Sequence, residues 1–391
     1  SPQAYYALYG WAPGQGLDAE NVPGPLTEWT LAEGETLAPG SPVTIAWDSP
    51  SGLRYERVIS IDDHYMFNIT QTVANASGNA VSLAPYGIIA RHGEPENLKN
   101  FFILHEGPIR MSDGTLSEQD YDDLTEFPVV ASEGANAEVV QVANDGWIGF
   151  TDHYWQSILI PAPGSAFKSV LKFDPSRNIY QAETVLPTKT VGDGATASVT
   201  SELFVGAKRW EVLRDYERDG VQGFVDSIDW GWFFFLTKPI FWLLHNIHQL
   251  IGNMGWSIIV LTLILKAILF PLAYKSYVSM ARMKELQPQM EKLKEQAGDD
   301  RQKLQQGMME LYKKEKVNPA AGCLPILLQI PIFFSLYKVI FVTIELRHAE
   351  WFGWIRDLSA PDPSSILNLF GLLPFAAPDP SSFLAIISLG I

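Results

Sequence analysis

The 391-residue chain carries 28 Lys+Arg against 44 Asp+Glu, a net charge of −16, and a hydrophobic share of 47%. A single cysteine, Cys323, excludes an intramolecular disulfide, so any domain outside the cytoplasm must stand on its core alone. The absence of a GxxxxGK[ST] loop and of HExxH leaves no signature for a nucleotide or a zinc ion, and no cofactor is expected.

The charge is unevenly spread. Residues 1–231 hold 13 Lys+Arg and 32 Asp+Glu, whereas residues 273–321 hold 10 and 7. The first region reads as β structure. The runs YERVISI (55–61), YMFNITQTV (65–73), FFILHEG (101–107), VVQVAN (139–144), WIGFTD (147–152) and YWQSILIPA (154–162) are rich in β-branched and aromatic residues. Gly, Pro, Asn and Asp separate them, which favours a sandwich or barrel over βαβ units. Its histidines, His64, His92, His105 and His153, show no zinc spacing and read as structural or surface residues.

AKRWEVLRDYERD (207–219) is charged and helix-compatible, a connector. DWGWFFFLTKPIFWLLHNIHQLIGNMGW (229–256) concentrates aromatic rings, which favour the membrane–water interface. The expectation is a helix lying on that interface, anchored by Trp230, Trp232, Trp242 and Trp256, and turning at Gly252–Gly255. The competing reading is a span from Trp232 to Ile251. Lys238, Pro239, His245, Asn246 and His248 argue against it.

WSIIVLTLILKAILFPL (256–272) is a nearly unbroken apolar run that carries Thr262 and, inside it, Lys266. At helical rise it covers about 25 Å, close to the hydrocarbon core. A central lysine costs roughly 2.5–3.5 kcal/mol on insertion scales, which marks a functional site by default. The alternative is that Lys266 snorkels to the nearer interface. The second apolar segment, residues 322–344, carries Gln329, Ser335, Lys338 and prolines 325 and 331. Two spans with polar groups suggest facing polar walls. Back-bonding of Thr262 and Ser335 to their own helix carbonyls is the simpler alternative.

Between the spans, Met280, Met283, Leu286, Met290 and Leu293 recur at helical steps, as do Leu304, Met308 and Leu311. Ala297-Gly298-Asp299-Asp300 supplies a glycine stop and an aspartate cap, so a helical hairpin is expected. The Met stripe reads either as a partner-binding face or as hairpin packing. The positive-inside rule places 273–321 in the cytoplasm and the acidic N-terminal region on the other side.

Lys266 with Phe270-Pro271-Leu272, SMARMKELQPQ (279–289), GDDRQKLQQGMMELYKKEKVNP (298–319), GCLPILLQIPIFFSLY (322–337), ELRHA (345–349) and WIRDLSAPDP (354–363) together resemble the YidC membrane protein insertase family of Gram-negative bacteria. The resemblance implies an all-β periplasmic supersandwich followed by an α-helical polytopic membrane domain with a cytoplasmic helical hairpin. It implies a hydrophilic groove open to cytoplasm and lipid and closed toward the periplasm.

The expected divisions are 1–206 for the β domain, 207–228 for the connector and 229–254 for the interface helix. The first span is 255–273, the hairpin 274–320, the second span 321–346, a periplasmic loop 347–382 and the start of a third span 383–391. The candidate groove set is Lys266, Thr262, Gln329, Ser335 and Phe333. The recruitment set on the hairpin is Arg282, Lys284, Lys292, Lys294, Lys313, Lys314 and Lys316.

The implied partners are nascent inner-membrane proteins, the ribosome, the Sec translocon and the bilayer, with no nucleic-acid sequence, metal or catalytic residue. Two departures stand out. Many relatives carry Arg where this chain has Lys266, and the chain reads as lacking the family's N-terminal anchor and last core helices. A channel or transporter subunit, and a sugar-converting enzyme on an anchor, are the competing classes.

Overall fold

The computed structural model describes residues 4–96, 98, 104–298, 300–315, 324–353 and 355–359. They fall into two compact units, Ser1–Asp229 and Trp230–Ile391.

The first unit is built of antiparallel strands. In chain order these are β1 (Tyr5–Pro13), β2 (Thr30–Glu33), β3 (Val43–Asp48), β4 (Leu53–Ile61), β5 (Met66–Asn75), β6 (Val81–His92), β7 (Gly107–Ser112) and β8 (Thr115–Glu118). After helix α1 (Tyr121–Glu126) come β9 (Val129–Val130), β10 (Ala135–Val142), β11 (Gly146–Thr151), β12 (Trp155–Pro161), β13 (Phe167–Asp174), β14 (Ile179–Val185), β15 (Lys189–Val191) and β16 (Thr196–Ala207). One sheet has the order β1-β6-β14-β13-β10-β9, with β15 also on β6. The other has the order β2-β3-β4-β5-β16-β12-β11-β7-β8.

The two sheets share a core. Trp11 and Leu83 of the first sheet cluster with Leu53, Tyr55 and Val73 of the second. A second cluster joins Ile89 and Leu171 to Ile69, Ile148 and Phe150. On β5 the residues Ile69, Gln71 and Val73 point to one face, as the two-residue period requires. Gln71 thus stands between the two apolar clusters, its amide donating weakly to the Tyr86 carbonyl (3.4 Å). Arg110 of β7 pairs with Glu138 of β10, tying sheet to sheet. The outer face of β11 and β16 is covered by α2 (Trp210–Arg218) and the turn Phe224–Ser227. There Phe224 meets Trp147 at 5.9 Å and Phe204 at 5.4 Å between ring centroids.

Five of the six expected strand runs coincide with strands. FFILHEG does not: residues 101–103 lie outside the described residues, Leu104 to Glu106 are not in a strand, and β7 begins only at Gly107. Several strands escaped the sequence reading. β6 contains Pro85 and Gly87, which read as breakers. Gly87 is needed there because Tyr9 and Thr184 crowd it: a β-carbon would stand 2.9 Å from the Tyr9 ring.

The second unit is helical: α3 (Phe234–Ile251), α4 (Met254–Ala297), α5 (Arg301–Lys314) and α6 (Leu324–Val342). Gly252, at φ 71, ends α3 with its N–H on the His248 carbonyl, and the Asn253 side chain caps α4 by accepting from the Trp256 N–H at 3.1 Å. α4 is one helix of 44 residues. At helical rise it is about 66 Å long, about twice the hydrocarbon core, so the apolar half and the charged half belong to one continuous helix. Gly298 closes it, and Asp300 caps α5 by accepting from the Lys303 N–H at 3.0 Å. Leu286 and Leu311 are buried between the two arms with Met283, Met290 and Leu293 against them.

Among the described residues, α4 and α6 are the helices long and apolar enough to cross a membrane. α3 does not meet that test.

Candidate intramembrane polar site

α4 places Lys266 twelve residues after its first residue, Met254, or about 18 Å along the axis. Its side chain is exposed. Thr262 lies one turn earlier on the same face, and its hydroxyl donates to the Ile258 carbonyl at 2.8 Å. Back-bonding therefore accounts for Thr262 in this structure. Pro271 has no N–H for the Ala267 carbonyl, so a backbone acceptor beside Lys266 is left without its helical donor.

α6 sorts its polar residues onto two faces. Gln329, Phe333 and Tyr337 recur at four-residue steps and are exposed. Ser335, Lys338, Val339 and Val342 form the buried stripe. Ser335 is 1% exposed, and its hydroxyl has no hydrogen-bond partner among the described residues. Unlike Thr262, it does not back-bond, and a buried unpaired hydroxyl carries a desolvation cost of about 1–3 kcal/mol. Lys338 is 6% exposed and packs one turn beyond Ser335. It was outside the candidate groove set. Its signal was present in the sequence as the one charged residue in the second apolar segment.

The five groove candidates are thus not gathered in one contact set. Lys266, Gln329 and Phe333 are exposed, Thr262 is half-buried, and Ser335 faces the helix packing.

The interface set divides as well. Trp232, Trp242 and Trp256 are exposed, Trp232 at 94%. Trp230 is not an exposed anchor. It is 5% exposed and meets the Phe241 ring at 5.3 Å, because the glycine at 231 turns it back onto α3. α3 also carries His245 and His248. Burial, and then the neighbouring His245, hold the His248 imidazole below its usual pKa.

Arg282, Lys284, Lys292, Lys294, Lys313 and Lys314 are all exposed on the hairpin arms. Lys316 lies outside the described residues.

In the β unit, a surface pocket of about 400 Å³ is lined by Ser165, Thr188, Lys189, Ser198 and Thr200 among others. Its lining presents hydroxyls and one amine, with no carboxylate or imidazole to form an acid–base pair. No group of three His, Cys, Asp or Glu able to hold a metal occurs among the described residues.

Comparison with known proteins bears on both units. The family model described as YidC periplasmic domain matches residues 1–243, and the one described as 60Kd inner membrane protein matches residues 246–388. The membrane protein insertase YidC of Ruegeria pomeroyi is 68% identical over all of this chain and 65% of its own length. That of Roseobacter denitrificans is 67% identical over all of this chain and 64% of its own length. The chain therefore spans about 65% of the length of the relatives it matches. A solved structure of an active YidC insertase with its first transmembrane domain resolved aligns with a TM-score of 0.31 at 20% identity. The alignment covers 86% of this chain and 64% of that one.

Proposed function

This chain belongs to the YidC family of inner membrane proteins, and from that premise we propose that the protein acts as an insertase and chaperone for inner-membrane proteins. The observation that carries this reading is Lys266, a cation about 18 Å along a helix apolar enough to span the membrane. An incoming single-span protein must move a short, often acidic, segment across hydrocarbon. A hydrated groove shortens the low-dielectric path, and a fixed cation in it attracts acidic residues more strongly than water would allow. The substrate's apolar span then partitions sideways into lipid. The membrane potential assists acidic segments moving outward. This activity needs no enzymatic chemistry.

On this reading α4 crosses over about 255–273 and continues as the first arm of a cytoplasmic hairpin, 274–320, whose ten Lys+Arg over 273–321 set the orientation. α6 returns over 321–346. The β unit, 1–206, then stands in the periplasm, with 207–228 as connector, α3 on the outer interface and 347–382 as a loop on that side. The exposed bases Arg282, Lys284, Lys292, Lys294, Lys313 and Lys314 meet the ribosome or the nascent chain. The Sec translocon is a further partner at the membrane.

The test is site-specific photo-crosslinking in the full-length protein, with probes at Thr262, Lys266 and Phe333 and ribosome-tethered nascent spans as targets. Crosslinks from 266 that depend on acidic residues in the translocated segment support the proposal. Absence of crosslinks from all three positions, in protein that reaches the membrane, refutes it and returns the channel reading.

A further inference from the structure

β16 has β5 beside it from Thr196 to Phe204, but β12 pairs with its other edge only from Ala207 back to Ser201. That pairing stops at Pro161, which has no N–H to offer a ladder. A turn, with the Ser165 N–H on the Ala162 carbonyl at 3.1 Å, then carries the chain into β13, which belongs to the other sheet. Among the described residues no strand pairs with that edge of β16 over Thr196–Thr200. Backbone groups alternate between the two edges of an antiparallel strand. The Ala195 carbonyl turns toward β5 and accepts from the Asn75 N–H at 2.9 Å, so Thr196, Ser198 and Thr200 turn their backbone groups to the open edge. The Ser198 carbonyl agrees: it accepts from Lys189 Nζ, at 3.4 Å, on that side.

The space beside this edge is the pocket of about 400 Å³, bounded by the turn after β12, the segment after β14 and residues 198–200 of β16. The Ser198 and Thr200 hydroxyls are engaged on β5, at 3.1 Å with Thr72 and 2.9 Å with Thr70. What β16 offers the pocket is therefore its backbone. Leu186 and Val199, both almost fully buried, give the lining its apolar part. Lys189 is the one charged residue of the lining, and no carboxylate lines the pocket. An ammonium has three donors, and this one uses a single long contact to a carbonyl.

We propose that this pocket captures the C-terminal end of an extended peptide. The peptide adds to β16 as the strand that β12 does not supply, pairing with Thr196, Ser198 and Thr200. Its terminal carboxylate meets Lys189, whose ammonium exchanges a long carbonyl contact for a charge-assisted one. An apolar last side chain packs on Leu186 and Val199. The open edge is about 13 Å from Thr196 to Thr200, the length of a tetrapeptide at strand rise. Residues 1–231 hold 13 Lys+Arg against 32 Asp+Glu, so a carboxylate gains nothing from the general field of the domain, and its binding reports the local contact. Neither Lys266 nor the insertase reading enters this argument.

The experiment uses the full-length protein in detergent and a fluorescein-labelled tetrapeptide pool, degenerate at its first three positions and ending in leucine with a free carboxylate. Fluorescence polarisation should show saturable binding. The same pool with a C-terminal amide should bind at least about tenfold more weakly, as should the free-acid pool to Lys189→Met, whereas Lys189→Arg should keep most of the affinity. A free-acid pool with N-methylated backbone amides, which cannot donate to the β16 carbonyls, should also lose at least about tenfold. No saturable binding up to about 1 mM, or equal affinity for the acid and amide pools or for Lys189→Met, overturns the proposal. Undiminished binding of the N-methylated pool, or full displacement by acetate at about 10 mM, overturns strand addition and leaves a site for small anions. Dimers in sedimentation that the peptide pool does not dissociate would give the edge to a second copy and overturn it too.

Discussion

Lys338 lays its aliphatic stem along Gly231: a β-carbon at 231 would stand 3.4 Å from the lysine Cε and 3.7 Å from its Cδ. Gly231 takes φ 70°, which a side chain would strain, and Phe233 continues the contact onto Phe334 at 6.4 Å. A buried lysine of α6 thus docks the segment that leads into α3. The stem supplies apolar area.

The first prediction follows from that packing. Lys338→Met keeps the stem and should leave thermal stability in detergent near the parent. Lys338→Ala should lower it by about 1–3 kcal/mol through the space left behind. Equal losses for both would show that the charge, and not the stem, holds the contact.

Lys266 tests the proposed groove. Lys266→Ala should impair insertion of substrates with acidic translocated segments, whereas Lys266→Arg should be largely tolerated because the charge remains. Insertion assays in a depletion strain decide it. If every substrate inserts normally with Ala at 266, the lysine only snorkels.

Asp357 gives a pH prediction. Hydrogen bonds from the Ser359 side chain first, then its backbone and His348, lower its pKa from the usual 3.8 to about 2. A depressed folded-state pKa means the stabilisation is complete above the unfolded value and is lost as pH falls through about 2. A carbon-13 titration of the Asp357 carboxyl should show its midpoint near the lower value. A midpoint at the usual value would mean that the loop 348–359 is open in solution.

Phe224 tests the outer face of the β unit. It is 0% exposed, against Trp147, Phe204 and Tyr216. Phe224→Ala should cost about 3–5 kcal/mol in urea unfolding followed by tryptophan fluorescence. A cost under about 1 kcal/mol would mean that α2 and its turn are not part of the cooperative fold.

The hairpin predicts a division of labour. Its apolar stripe is spent inside, with Leu286, Met290, Leu293 and Leu311 packed arm to arm, so on the proposed function recruitment rests on the exposed bases. Deleting residues 284–312 should weaken substrate capture. Full insertion after that deletion, in protein shown to reach the membrane, would reduce the bases to an orientation signal.

Features set by near neighbours were legible in the chain. The two apolar helices, a turn within Gly252–Gly255, which the structure narrows to Gly252 and Asn253, and the Gly298 stop with its Asp300 cap depend on hydropathy over one segment or on a cap within four residues, and these act the same way in any context. The five β runs around 55–162 were legible for the same reason. Contacts between distant elements were not. The Arg110–Glu138 link between sheets, the inward turn of Trp230 and the tolerance of Pro85 and Gly87 within β6 depend on which surface arrives opposite. The same holds for the candidate site. Sequence placed Gln329, Ser335 and Lys338 on one helix, but it could not say which face would be covered, since a helix this apolar all round has no polar stripe to orient it. Packing buried Ser335 and Lys338 and left Gln329 exposed, because only tertiary contact distinguishes faces that local hydropathy leaves equivalent.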